Sequence, residues 1–236
     1  MNGVAVNVAA VLVGTAVGLL FGKLIPERFR TTVVSGVGLF TIAIGLKMTI
    51  ATESPLLLAG SLVVGAVIGE SLRLEHRLER FGAALKDAAK RVPWLAAEAN
   101  GESGGHRMVE GFVTASLLYC VGAMTVLGSL QSGMGDPTLL YIKSLLDGTM
   151  AIPFATMFGV GVGFSIIPIA AIQGSLALAA HSVEPYMTAS VIRELSAAGG
   201  ALIAGIGLDL LGIKRLPIGN LLPAVVVAGV LAWFFA

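Results

Sequence analysis

Long apolar runs separated by short polar segments make up nearly the whole chain. A helix that crosses the hydrocarbon core of a bilayer needs about 20 predominantly apolar residues. By this measure the pattern predicts about eight spans, which cover residues 3–22, 31–50, 55–72, 108–130, 138–157, 165–181, 186–212 and 216–236. The predicted fold is therefore all-α, a polytopic bundle of transmembrane helices that forms one integral membrane domain over residues 1–236.

The division of residues 138–181 into two spans depends on helix-breaking residues in the middle of this segment. Gly159, Gly161, Gly163 and Pro168 favour a turn or a broken helix there. If the segment is instead one tilted helix with a re-entrant piece, the chain has seven spans.

The positions of the basic residues favour eight spans over seven. Lysines and arginines outside the predicted spans occur only after the first, third and seventh of them: Lys23, Arg28, Arg30, then Arg73, Arg77, Arg80, Lys86, Lys90, Arg91, Arg107, then Lys214 and Arg215. With eight spans these connections share one side of the membrane, which the positive-inside rule makes cytoplasmic. Both termini are then predicted to lie outside. With seven spans the last two basic residues would lie outside as well.

The longest polar connection, residues 73–107, predicts a cytoplasmic amphipathic helix followed by a flexible linker. Leu74, Leu78, Phe81 and Leu85 recur at the spacing of one helical face, with charged residues between them. Such a helix lies on the inner membrane surface or packs beneath the bundle. We interpret it as a connector rather than a regulatory element.

Composition narrows the class of protein. The chain is 56% hydrophobic and 12% charged, about half the charged fraction of a soluble domain, which identifies lipid as its solvent. The net charge of +1 gives no electrostatic basis for binding nucleic acid. Three scattered histidines and one cysteine offer no metal-ligand spacing, so we expect no metal and no cofactor. An enzyme is not expected either, because no nucleophile–base pair is present.

Two charged residues, Lys143 and Asp147, lie deep within the fifth predicted span. Residues 138–180 contain no other charge. At the rise of an α-helix the two lie roughly 9 Å and 15 Å from the helix start near Pro137, and their spacing puts them on one face. A charge at bilayer depth costs roughly 2.5–3.5 kcal/mol. We therefore interpret the pair as a site that binds an ion or a solute, rather than as a packing device.

Other polar residues within the spans are further candidates. Gln173 is in the middle of the next span and Asn7 is in the first; each is a ligand of the same site or a helix–helix hydrogen bond. Arg193 and Glu194 lie two turns into the seventh span, where a binding role and a structural role are equally expected. Pro153 frees a backbone carbonyl that can also line a polar site.

Small residues form two strips at the spacing of a helix face. Gly14, Gly18 and Gly22 lie on the first span, and Gly65 and Gly69 lie on the third. Strips of this kind let membrane helices approach closely. They predict helix-packing faces and, in addition, the seam of a homodimer.

Three segments resemble a known family: VGAMTVLGS at residues 121–129, KSLLDG at residues 143–148, and the Asn2-Gly3 start. They resemble the bacterial YqgA/YdfK-like family of uncharacterised membrane proteins, domain of unknown function 554, over nearly the whole length. The resemblance implies an inner-membrane, multi-pass protein of a prokaryote. It implies no activity, so it supplies no catalytic residues.

These observations lead us to expect a small secondary transporter for an ion or small solute, with the lipid bilayer and that solute as its partners. In this hypothesis Asp147 binds the coupling ion or proton, Lys143 responds to its charge, and Gln173 with the backbone near Pro153 completes the site. An ion channel is the alternative, and a non-transporting membrane scaffold is a further one. A lone deep ion pair favours a carrier, because a channel usually shows a ring of like residues around its pore.

Overall fold

The computed structural model describes residues 2–22, 27–78, 80, 104–121 and 123–235. Over these ranges the chain is all-helical and contains no strand. The helices are α1 (Asn2–Gly22), α2 (Glu27–Ile50), α3 (Pro55–Ser71), α4 (Gly104–Cys120), α5 (Ala123–Gly133), α6 (Thr138–Phe158), α7 (Gly161–Phe164), α8 (Ile166–Leu178), α9 (Ala180–Val183), α10 (Ala189–Leu210), α11 (Ile218–Leu221) and α12 (Pro223–Phe235). A 3₁₀ turn at Glu184–Tyr186 leads from α9 towards α10.

The described residues contain fewer candidate membrane spans than the predicted eight, when candidates are judged by length and composition. Among the described residues, four segments are long and apolar enough to cross a bilayer: Asn2–Phe21, Gly161–Leu178, Ala189–Leu210 and Ile218–Phe235. The number rises to six if two bent pairs, α2 with α3 (120°) and α4 with α5 (63°), are each taken as one span. The all-helical prediction is confirmed, and the count of about eight is not. One reason for the lower number is that α6, although 21 residues long, contains a lysine and an aspartate and is not among these segments.

The helices pack in two groups. In the first, α1 lies along α6, and α4, α5, α7 and α8 pack around this pair. In the second, α2 lies along α10, and α12 packs against both α3 and α10. The core of the first group is apolar and aromatic, with the rings of Phe154 and Phe158 stacked at 6.0 Å. The charged pair predicted from the sequence is on α6, within this first group.

The glycine strips lie between helices of the same chain. A Cβ atom at Gly14 or Gly18 of α1 would collide with backbone carbonyls of α6. A Cβ atom at Gly65 or Gly69 of α3 would likewise collide with the backbone of α12 or α11. Gly22 is the last residue of α1. These close approaches occur within the chain. All four glycines therefore pack against other helices of the same chain, rather than against a second copy.

The helical conformation is interrupted between α6 and α8, in the segment where the glycines and Pro168 predict an interruption. Helix α6 ends at Phe158, and Gly159 follows with φ of 70°, a conformation that glycine adopts without steric cost. The short α7 and then α8 continue the chain. At its other end, α6 is preceded by Asp136, whose Oδ1 accepts a hydrogen bond from the Thr138 N–H at 3.0 Å. Hydrogen bonds with Thr138 hold the pKa of this carboxyl below its ordinary value.

The first turn of the predicted amphipathic segment is tied to α11. Residues 74–78 are helical, the Glu75 N–H donates to Asn220 Oδ1 at 2.7 Å, and the Gly219 N–H donates to Glu75 Oε2 at 2.7 Å. Of the predicted segment 73–107, residues 79 and 81–103 lie outside the described residues, and residues 104–107 begin α4.

Candidate binding site

A buried polar site lies where α1, α6 and α8 meet. Asp147 Oδ2 accepts hydrogen bonds from Lys143 Nζ at 2.5 Å and from Asn7 Nδ2 at 3.0 Å. The same Asn7 nitrogen donates to Gln173 Oε1 at 3.1 Å. The structure thus brings together four of the residues that the sequence singled out, from positions as far as 166 residues apart.

The helical period explains why these side chains face one another. Asn7 lies two turns before Gly14, so it is on the face of α1 that packs along α6. Lys143 and Asp147 are one turn apart on the facing side of α6. Asn7 and Gln173 are fully buried, and Lys143 and Asp147 are 5% and 7% exposed. The ion pair is therefore shielded on all sides by protein.

Tyr119 of α4 is a fifth member of the site that the sequence reasoning missed. Its ring centroid lies 6.0 Å from Lys143 Nζ, within reach of a cation–π attraction. The side chain is fully buried. A tyrosine in the middle of an apolar run is itself a signal, because tyrosine in membrane helices is enriched at the lipid–water interface.

Several polar atoms of the site have no hydrogen-bond partner among the residues that the structure describes. They are Asn7 Oδ1, Gln173 Nε2 and the Tyr119 hydroxyl. A buried polar group left unpaired costs about 1–3 kcal/mol, so native proteins keep few of them. The arrangement therefore has hydrogen-bonding capacity that the protein itself does not use.

Arg193 and Glu194 belong to a different place, where α10 meets the turn between α2 and α3. Glu194 is 1% exposed and accepts hydrogen bonds from Thr52 Oγ1 at 2.5 Å and from the Glu53 N–H at 2.9 Å. Arg193 Nη2 lies 2.6 Å from Glu53 Oε2. These bonds fasten the turn onto α10. The structure does not bring the two residues to the Lys143–Asp147 pair.

Two further features bear on the chemistry of the site. Pro153 lies inside α6, so no N–H at this position bonds the carbonyl of Thr149, four residues earlier. Within the described parts of the chain, no group of three or more His, Cys, Asp or Glu residues is placed to hold a metal ion. The described side chains of the site are an ion pair, two amides and a phenol.

Comparison with known proteins matches the chain to one family over nearly its whole length. The family described as "Protein of unknown function (DUF554)" matches residues 2–233. The chain is 32% identical to the uncharacterized protein YqgA of Escherichia coli (strain K12) over 235 residues, 97% of each chain. It is 28% identical over 232 residues to the uncharacterized membrane protein YdfK of Bacillus subtilis (strain 168), 96% of this chain and 93% of that one. No solved structure matches it.

Proposed function

Since the chain belongs to the DUF554 family, one relative of which is described as a membrane protein, we propose that it is a small secondary transporter for an ion or small solute, and not an enzyme. The observation that carries this proposal is the buried Lys143–Asp147 pair with its two amide partners, Asn7 and Gln173. Ionisable residues inside membrane helices are costly, and they commonly mark solute or ion pathways.

A purely structural role for the pair has little support from the packing around it. The close approach of α1 and α6 is already provided by Gly14 and Gly18, which need no ion pair. Replacing a buried ion pair with apolar residues of similar volume is often neutral or stabilising. A pair that only joined helices would therefore be a poor choice for a position that leucine or methionine could fill.

The roles of the residues follow from their contacts. Asp147 is the group that binds the coupling ion or proton. Lys143 neutralises the Asp147 carboxylate when that ion is absent. Asn7 donates to Asp147 from α1, and Gln173 connects α8 to the same amide. The chain is interrupted at Gly159 between α6 and α8, so Asp147 and Gln173 lie on separate helices rather than on one continuous helix.

Topology and assembly complete the proposal. We place the chain in the inner membrane with both termini outside, because the basic connections follow the first, third and seventh predicted spans. A homodimer is also proposed. Its interface would use exposed apolar surfaces other than the strips of Gly14 and Gly18 or of Gly65 and Gly69, which pack within the chain.

The test is flux in proteoliposomes that contain the purified full chain, against a panel of ions and metabolites. We expect saturable, gradient-coupled uptake that is lost in the double variant Lys143→Met, Asp147→Leu, at unchanged or higher thermal stability. Tyr141→Phe is the matched control, because Tyr141 is exposed on the same helix. Gradient-driven flux that persists in the double variant would reject the site. Unitary currents would indicate a channel instead, and no flux of either kind would favour a scaffold.

A further inference from the structure

The unused hydrogen-bonding groups of the site are mostly donors. A lysine ammonium has three N–H groups, and the described contacts of Lys143 Nζ use one of them, towards Asp147. Gln173 Nε2 carries two more N–H groups without a partner, and the Tyr119 hydroxyl adds another. On the acceptor side, Asn7 Oδ1 has no partner among the described residues. Both described donors to Asp147 reach its Oδ2, so Asp147 Oδ1 is a further acceptor until Asp147 binds a proton. A ligand that fits this set must accept hydrogen bonds more than it donates them.

The carboxylate of Asp147 shows which chemical group these donors already bind. Lys143 from the same helix and Asn7 from α1 both donate to its Oδ2 atom. Charge-assisted bonds of this type are among the strongest that side chains make. A second carboxylate could accept hydrogen bonds from the same two donors and from Gln173 Nε2. The other polar atom of this amide, Gln173 Oε1, already accepts from Asn7.

The charges around the site decide what must accompany such a ligand. Helices α1, α5, α7 and α8 contain no titratable residue. On α4 the Tyr119 ring lies 6.0 Å from Lys143 Nζ, and the next residue, Cys120, is buried. Tyr141 of α6 and Lys47 of α2 are exposed. Lys143 and Asp147 thus balance each other, and a carboxylate bound alone would leave one buried negative charge uncompensated. Burying such a charge is strongly unfavourable.

We propose that the substrate is a small monocarboxylate that enters together with one proton; this rests on the transport function proposed above. The proton comes from the water on the entry side and binds the carboxylate of Asp147. Lys143 and Asn7 then donate to the substrate carboxylate instead, so the occupied site is neutral. On the other side the substrate leaves, the proton returns to water, and the Lys143–Asp147 pair forms again. The cycle moves no net charge.

The test uses radiolabelled lactate as the probe, with the wild-type full chain in proteoliposomes. Lactate uptake is expected when the outside is acid, at one proton per lactate, with no dependence on membrane potential. Formate and glycolate are expected to compete. Protein-free liposomes measure the permeation of the undissociated acid, which is subtracted. These measurements need no variant, so a folding defect cannot obscure them.

Variants separate binding from coupling. Asp147→Asn keeps a neutral group where the protonated acid would be, so it is expected to retain lactate exchange between the two sides while losing accumulation driven by the pH gradient. Lys143→Met is expected to lose both, because it lacks the cation that binds the carboxylate. Tyr141→Phe, at an exposed position of α6, is expected to retain both.

The remaining outcomes distinguish this inference from the function on which it rests. One outcome is saturable flux of a cation or an uncharged solute that needs Lys143 and Asp147, with no flux of lactate, formate or glycolate. It would rule out a carboxylate substrate but would support the proposed transport function. Lactate uptake that follows the membrane potential rather than the pH gradient would overturn the role of the proton. No saturable flux of any solute would reject both proposals.

Discussion

At Tyr119 the packing of the aromatic ring and the hydrogen bonding of the hydroxyl can be tested separately. Its ring lies beside Lys143, but its hydroxyl has no hydrogen-bond partner in the described part of the chain. The protein therefore gains the attraction of the aromatic face for the ammonium without a visible use for the phenolic oxygen. A group that is retained without a structural partner is a candidate contact for the transported solute.

We expect Tyr119→Phe to leave thermal stability unchanged or slightly raised, because no protein hydrogen bond is lost. The apparent KM of the flux found for the wild type should rise, because the solute loses a donor. Stability in detergent and KM in proteoliposomes are the two measurements. Tyr141→Phe is the matched control, since Tyr141 is an exposed tyrosine of α6. A clear loss of stability in Tyr119→Phe alone would show that the hydroxyl has a structural role.

At this scale the sequence singled out four residues that the structure brings together, but it also named Arg193 and Glu194, which lie elsewhere, and it missed Tyr119. Asn7, Lys143, Asp147 and Gln173 could be found because polar groups at membrane depth are rare and costly. Tyr119 was missed because hydropathy does not separate it from the apolar residues around it; only its residue type, unusual in the middle of such a run, sets it apart. Its place depends on how α4 packs against α6, which local periodicity does not encode.

At the scale of elements, the fit of α1 against α6 depends on glycine. A Cβ atom at Gly18 would meet the carbonyl oxygen of Ile152, and backbone cannot move aside as a flexible side chain can. Gly60 of α3 offers a contrast, because a Cβ atom there meets nothing within 4 Å. The two positions are glycines in apolar helices and differ in what surrounds them.

Gly18→Ala is therefore expected to destabilise the protein, by about 1–3 kcal/mol as for other overpacked positions. Gly60→Ala should be neutral or stabilising by about 1 kcal/mol, since alanine favours a helix over glycine. Reversible unfolding in mixed micelles measures both. Equal stabilities for the two variants would contradict the packing of α1 along α6.

Element boundaries were predictable where a residue type marks them. The glycines before Pro168 indicated the break that the structure has after Phe158. No proline or glycine cluster marks the bend of 63° between α4 and α5, which falls inside the predicted span 108–130. Near that bend the Thr125 hydroxyl donates to the carbonyl of Tyr119 at 3.0 Å. Such a local exchange of hydrogen-bond partners is not visible in a hydropathy pattern.

At the scale of the whole molecule, the apolar composition was sufficient to predict a helical membrane protein, but not its internal arrangement. The two groups, α1 with α4–α8 and α2 with α3 and α10–α12, join helices that are far apart in the sequence. Periodicity shows which face of a helix is small or polar. It does not show which of several similar faces will be its partner.

The predicted topology can be tested with two positions that the structure shows as exposed. Met134 lies between α5 and α6, and Ile213 follows α10. In a background where Cys120 is replaced by alanine, an impermeant thiol reagent added to intact cells should label Met134→Cys and spare Ile213→Cys. Permeabilised cells should show labelling at both. The reverse pattern in intact cells would invert the orientation, and labelling of both there would refute the eight-span topology.

The hydrogen bonds of Asn7 have a consequence for biosynthesis. The partners of this residue are synthesised 140 and 166 residues after it, so Asn7 has neither of them when α1 is made. Helix α1 carries an amide at this position and no charge. Helix α6 carries both the lysine and its counter-ion, one turn apart, so the two charges can neutralise each other before α1 and α8 pack against them. The division of polar groups among the three helices thus leaves none of them with an unpaired charge before the site is assembled.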